Sequence, residues 1–338
     1  MSKQDNINEL ASLKGLGPKT AEKLYDAGIK TVADLAIRRP EEISDLLGPT
    51  FSKKKAQEVI TLAKDMALAE ALRPVNGATF QEEIDSRDCY STGSTELDRL
   101  LGGGVFTNEI TGIKGQMATG KTQICKSVAV SCIAKGRKVA WIETEPGTFF
   151  PKRILEIAQN RGISVDLKKD IIVVGAKYIT SPATQFLAYE VIDKQYLQKG
   201  VDIGLIVIDS FSPRFRETYT RREMFGERSQ EQARHLGYLQ YLAAKYNLAV
   251  MITAQVMGVP DAGKQKNTMM VEASDKAVYG GHVLKHSVQT WLAVEQQSKT
   301  QNAWTAELFD SSHLPCGKVL FSITSMGVTD VASKRGRV

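Results

Sequence analysis

Apolar positions along the chain follow two periods. In the first seventy residues Leu24, Ile37, Ile43, Val59 and Ile60 recur at helical spacing, in short runs broken at Gly15, Gly17, Gly28, Pro40, Gly48 and Pro49. That pattern predicts a small all-helical unit over 1–72. Residues 73–89 are polar, hold Pro74 and Gly77 and show no clear periodicity, so they read as a linker. From residue 90 to 338 short β-rich segments at 109–113, 138–142, 171–174, 205–208, 248–253 and 319–323 alternate with helical stretches. The alternation predicts an α/β domain, a mostly parallel sheet covered by helices on both faces. In such sheets ligands sit beyond the carboxyl ends of the strands. Three segments run directly into polar residues, Lys114-Gly115, Glu143-Thr144-Glu145 and Asp209-Ser210, and those ends are expected to converge.

Composition changes this picture little. The 338 residues are 42% hydrophobic and 24% charged, ordinary for a globular chain. The formal net charge of +6 suits a polyanionic partner, yet an excess of this size is common in proteins that bind none. Cys89, Cys125, Cys132 and Cys316 show no CxxC pairing, which argues against a zinc site or disulfide framework and for a reduced cytoplasm. The polar start and the lack of an apolar run near ~20 residues predict a soluble protein with no membrane partner.

The chemistry concentrates in Gly115-Gln116-Met117-Ala118-Thr119-Gly120-Lys121-Thr122, which satisfies G-x-x-x-x-G-K-[ST] between an expected strand and an expected helix. Glycines in such a loop let backbone N–H groups wrap phosphates, Lys121 reaches the β- and γ-phosphates of ATP, and the Thr122 hydroxyl completes a Mg²⁺ shell. Asp209 ends the apolar run Leu205-Ile206-Val207-Ile208, where a carboxylate can hold Mg²⁺ through water. Hydrolysis also needs a group to orient or deprotonate water; Glu143 and Glu145 both follow a strand, and composition does not choose between them. Gln255 is either a γ-phosphate sensor or a plain strand-end residue. The aperiodic stretch 257–279 that follows is long enough to be a functional or disordered loop.

Together these residues resemble the archaeal RadA branch of the RecA-type strand-exchange recombinases, over nearly the whole chain. The resemblance rests on Ser91-Thr92-Gly93-Ser94 with Glu96-Leu97-Asp98, Gly120-Lys121-Thr122-Gln123, Thr144-Glu145-Pro146-Gly147-Thr148-Phe149, Phe215-Arg216 through Glu227-Arg228, Ile252-Thr253-Ala254-Gln255-Val256, Gly280-Gly281-His282, and Asp310 to Pro315. It implies a RecA-like ATPase core and assigns water activation to Glu145, with Lys121 and Gln255 beside it and Gln255 as nucleotide sensor. It makes Arg153 an adenine contact and extends the nucleotide loop to Gln123. His286, Asp310 and Pro315 match residues that meet a neighbouring subunit's ATP, which implies nucleotide-dependent filaments or rings. Arg216, Arg222 and Arg228 fall on the arginines of the first DNA-binding loop, and 257–279 matches the second. Leu13-Lys14-Gly15-Leu16-Gly17-Pro18 resembles a helix-hairpin-helix, whose turn at Gly15 and Gly17 would hold a DNA phosphate; a plain helix-capping turn is the other reading.

The expected activity is that of a DNA-dependent ATPase that assembles on single-stranded DNA and promotes pairing with double-stranded DNA during break repair. Several positions depart from the family's pattern. Pro74-Val75-Asn76-Gly77 stands where a Phe-x-x-Ala docking motif is usual, Gln116-Met117 replaces Glu-Phe, Ala254 replaces Asn, and Pro146 is extra. Glu295 to Asn302 occupies the place of a basic turn, and the connection ahead of Lys138 is shorter. These departures motivate a second expectation, a paralogue that acts as a recombination mediator without forming filaments. A P-loop ATPase unrelated to DNA, such as a circadian-type hexamer, would leave the hairpin unit unexplained.

Overall fold

A computed structural model of the chain describes residues 3–70, 75–256, 284, 286–298 and 302–332. The chain divides into two compact units, Met1–Asp85 and Ser86–Val338.

The first unit is helical: α1 (Lys3–Ser12), α2 (Pro18–Asp26), α3 (Val32–Ala36), α4 (Pro40–Leu47), α5 (Lys53–Glu70) and α6 (Gly77–Asp85). Its boundaries follow local chemistry. Pro18 and Pro40 open α2 and α4, where the N–H that proline lacks would have had no helical partner. Thr31 and Asp34 form a reciprocal capping box ahead of α3, and Gly48 at φ 89° ends α4. Leu10, Leu24, Leu35, Ile43 and Ile60 are fully enclosed in the core, whereas Ile37, counted above among the helical apolar positions, follows α3 and lies exposed.

Helix α6 occupies part of the stretch expected to be linker. The Asn76 side chain accepts from the Thr79 amide at 2.9 Å and starts the helix. No residue of α6 is buried, so no apolar face marks it in the sequence. Val75 and Phe80 are exposed, and Pro74 lies outside the described residues.

In the second unit the strands are β1 (Cys89–Tyr90), β2 (Val105–Phe106), β3 (Ile110–Gly115), β4 (Lys138–Glu143), β5 (Ile171–Val174), β6 (Ile203–Asp209), β7 (Ala249–Gln255), β8 (Thr290–Ser298), β9 (Ala303–Ser311), β10 (Gly317–Thr324) and β11 (Gly327–Asp330). Among the described residues β3 to β11 form one sheet in the order β11-β10-β9-β8-β3-β7-β6-β4-β5. The strands from β8 to β5 are parallel, and β9, β10 and β11 fold back antiparallel at the other edge. The parallel strands bury both faces, which is why they read as unbroken apolar runs. Leu205 and Val207 of β6 and Val139 and Trp141 of β4 join one core cluster; Ile206, Ile208, Ala140 and Ile142 join the other. Helices α7 (Thr95–Leu100), α8 (Lys121–Ala134) and α9 (Pro151–Asn160) pack into the first cluster, while α10 (Pro182–Gln195), α11 (Pro213–Thr218) and α12 (Phe225–Tyr246) pack into the second.

All six expected strands form, and the hairpin β8–β9 was not expected. The polar half of β8, Glu295 to Ser298, is the first half of the stretch that takes the place of the family's basic turn, and its Ser298 pairs with Ala303. Residues 299–301 lie outside the described residues. Among the described residues no helix is long and apolar enough to cross a membrane.

His235 of α12 is fully buried against Phe186, Tyr189, Phe211 and Phe215. Burial, with Arg234 adding to it, pushes its pKa down to about 3, although Glu231 Oε1 stands 3.4 Å from Nε2 and favours the cation. The folded state thus binds fewer protons than the unfolded one. The stabilisation is complete above pH 6.5 and is lost as the pH falls toward 3. His235→Leu should therefore gain on the wild type in urea unfolding free energy by on the order of 1.4 kcal/mol per pH unit in that window. A difference independent of pH would contradict the buried neutral imidazole.

Candidate functional site

Residues 116–120 link the end of β3 to the start of α8. Ala118 at φ 61° and Gly120 at φ 93° turn the backbone through the left-handed region. The left-handed conformation favours glycine at 120, and a Cβ there would also crowd Ile323 Cδ1 at 2.7 Å. Thr119 Oγ1 donates to the Gln116 carbonyl at 2.9 Å and closes the loop. Lys121 is nearly enclosed and folds back to donate to the Gly115 and Gln116 carbonyls at 3.1 and 2.6 Å. Burial lowers its pKa, opposed by the charges of Asp209 and Glu145. Met117 points outward, 82% exposed. Beside the loop lies a cleft of about 380 Å³ lined by residues 118 to 123 together with Arg153, Trp304 and Ile323. Arg153, from α9, is held by Gln123 Oε1 at 2.9 Å, Glu156 at 2.8 Å and the Thr324 carbonyl.

The three strand ends converge because β3, β7, β6 and β4 are parallel neighbours. At the tip of β6 the buried Asp209 carboxylate accepts from Thr122 Oγ1 at 2.7 Å on one oxygen and from Thr253 Oγ1 at 2.6 Å on the other. Its carbonyl accepts from the Thr144 amide at 3.0 Å. Glu145 Oε1 accepts from Ser210 Oγ at 3.2 Å and from Gln255 Nε2 at 3.1 Å.

Glu143 is engaged elsewhere. One of its oxygens takes the amides of Gly147 and Phe149, both at 3.0 Å, and the other takes that of Ala176 at 3.3 Å. These bonds pin the loop that carries Glu145. The inserted Pro146 falls in the turn from Glu145 to Thr148, completed by Gly147 at φ 82°, and Glu145 still faces Gln255.

His286, Asp310 and Pro315 do not join this group. Asp310 is paired with Trp291, which is paired with Gly112, and the chain then runs on past Ser311 toward the amino end of β3. His286 precedes β8 at that same end and Pro315 lies in the exposed turn before β10. The 116–120 loop leaves the opposite, carboxyl end.

Arg216 sits exposed on α11, Arg222 in a single 3₁₀ turn (Arg222–Met224), and Arg228 in α12 with its guanidinium 4.3 Å from the Phe225 ring centre. Arg214, which the sequence did not single out, donates to the Thr144 carbonyl and pairs with Glu217 at 2.6 Å, tying this segment to the Glu145 loop. The stretch 257–279 lies outside the described residues. In the first unit, Gly15 adopts φ 104° and Gly17 is extended immediately ahead of α2, so the α1–α2 connection turns through both glycines. A Cβ on Gly15 would press on Val59 Cγ2 at 3.2 Å.

Residues 88–331 match the Rad51 family model, and residues 7–65 match that of the SAM-like helix-hairpin-helix tandem. The chain belongs to the Rad51 family. It is similar to the DNA repair and recombination protein RadA of Methanococcus voltae, 33% identical over 96% of this chain and 99% of that protein. It is also similar to the protein of the same name from Aeropyrum pernix, 34% identical over 96% and 97%. The tandem match takes in α4 and most of α5 as well as the α1–α2 turn. Thr253 was legible only as part of a motif; its bond to Asp209 depends on β6 and β7 being neighbours.

Glu143→Ala should release the Gly147 and Phe149 amides. Hydrogen exchange at those two positions should speed by roughly tenfold or more, the equivalent of losing over 1 kcal/mol of local protection. Unchanged exchange would mean that Glu143 does not hold the loop.

Proposed function

We propose that this chain is an ATP-dependent DNA recombinase that assembles on single-stranded DNA and promotes homologous pairing and strand exchange in double-strand break repair. The observation that carries the reading is the convergence of Lys121, Thr122, Asp209, Glu145 and Gln255 at one end of the sheet in a Rad51-family chain. Relatives matched along almost their whole length favour it over the non-assembling mediator.

In this reading the 115–123 loop binds the triphosphate through its backbone amides, and Lys121 turns from the Gly115 and Gln116 carbonyls to the β- and γ-phosphates. A threonine hydroxyl beside a carboxylate offers the hard oxygen donors Mg²⁺ takes, so Thr122 and, through water, Asp209 fit that ion. When bound, Mg²⁺ neutralises charge on the phosphates. Glu145 orients and deprotonates the attacking water. Gln255, bonded to Glu145 and leading into 257–279, links the nucleotide state to the second DNA loop. Arg153 contacts the adenine.

His286, Asp310 and Pro315 act in trans on the ATP of a neighbouring protomer, a role supported by their position away from the chain's own nucleotide loop. Arg216, Arg222 and Arg228 pair with DNA phosphates without reading sequence, so base pairing between the strands supplies specificity. The backbone of the Gly15–Gly17 turn ahead of α2 holds a further phosphate.

Purified protein with ATP and Mg²⁺ should form joint molecules from homologous strands; no pairing despite intact ATP binding would sink the reading. Lys121→Ala should abolish nucleotide binding. Glu145→Gln should bind ATP normally while turnover falls by roughly 10²- to 10⁴-fold, and undiminished hydrolysis would move the role off Glu145. Arg222→Ala combined with Arg228→Ala should flatten the slope of log affinity against log salt on single-stranded DNA by about 1.4, two phosphate contacts' worth. A slope equal to that of the wild type would remove both arginines from the interface.

A further inference from the structure

The nucleotide cleft has one wall that the phosphate chemistry does not use. Trp304 of β9 and Ile323 of β10 form it, next to Gly120. The indole is 9% exposed and stacks on Phe321, with ring centres 6.2 Å apart and planes 26° from parallel. Asn302 Nδ2 donates to the Ile323 carbonyl at 2.8 Å and braces the wall. The pyrrole edge of the indole faces the loop, since a Cβ on Gly120 would lie 3.6 Å from both Cδ1 and Nε1. That Nε1–H is enclosed and has no hydrogen-bond partner among the described residues. A buried donor left unpaired is costly; the Trp141 Nε1–H is likewise unpaired among the described residues but sits in the core, whereas Trp304 lines the cleft.

The loop amides, Lys121 and Thr122 already serve phosphate. What the cleft offers beyond them is different in kind: a flat aromatic ring, an aliphatic side chain, and an Arg153 guanidinium fixed by Gln123, Glu156 and Thr324. Planar and apolar surfaces with a few fixed polar groups suit a nucleoside.

We propose that Trp304 is a nucleotide-positioning residue, its indole N–H donating to the nucleoside half of the bound nucleotide while its ring forms that half's wall. The proposal rests on the ATP-binding reading above. It makes the residue a reporter as well, because a ligand against the indole changes its emission, whereas Trp141 and Trp291 are fully enclosed in the core.

The test uses the full chain, with affinity for ATP, ADP and inorganic tripolyphosphate measured by calorimetry and tryptophan emission followed in parallel. Trp304→Phe keeps an aromatic ring over Phe321 and removes the donor. It should weaken ATP and ADP by about fivefold, the size of one hydrogen bond, and leave tripolyphosphate unchanged. The emission change that ATP causes in the wild type should vanish in this variant. Trp304→His, which retains a ring N–H, should recover most of the affinity, and it answers the question if the Phe variant folds poorly. Equal weakening of tripolyphosphate, or full ATP affinity together with an undiminished emission change in Trp304→Phe, would overturn the inference alone. A wild-type chain that binds no ATP would overturn the underlying reading with it.

Discussion

The grip on Asp209 is the constraint on which the rest of the site depends. Its two carboxylate oxygens are taken by Thr122 at the start of α8 and Thr253 inside β7, and its own strand, β6, lies between β7 and β4. A buried carboxylate is tolerated only when its charge is answered by hydrogen bonds or cations, and here two hydroxyls and the neighbouring Lys121 answer it. The same bonds fix the helix that opens at the phosphate loop relative to the strands that carry Glu145 and Gln255. Moving any one of these elements would leave a charge unpaired in the core.

From that anchor two routes lead outward. One passes through Gln255 to Glu145 and on into the chain after β7. The other passes through Thr144, whose carbonyl receives Arg214 at the start of the arginine-bearing segment. In the proposed reading both segments meet DNA, so the hydrogen bonds around Asp209 lie between nucleotide and DNA. The residues assigned to a neighbour's ATP stand toward the other end of the sheet, which gives each protomer two unlike faces. A head-to-tail contact between unlike faces propagates, as a filament requires.

Much of this was legible in the sequence, for physical reasons that differ by element. The strands β3, β4, β6 and β7 declared themselves because both of their faces are buried, and the phosphate loop because its backbone needs glycine at fixed positions. Composition did not separate Glu143 from Glu145: both follow a strand, and only the folded loop reveals that Glu143 spends its oxygens on three amides. Helix α6 was hidden because it buries nothing, and β8–β9 because half of β8 is polar. Trp304 was invisible for a further reason. It lies far from the loop in sequence, and only the antiparallel edge of the sheet brings it to Gly120.

The central claim is that ATP and single-stranded DNA together assemble this chain through the seam where one protomer's loop meets the next protomer's His286, Asp310 and Pro315. Electron microscopy of the protein with both ligands tests it most directly. The account predicts long helical filaments that require ATP and DNA together; particles that remain small and closed under those conditions would contradict it.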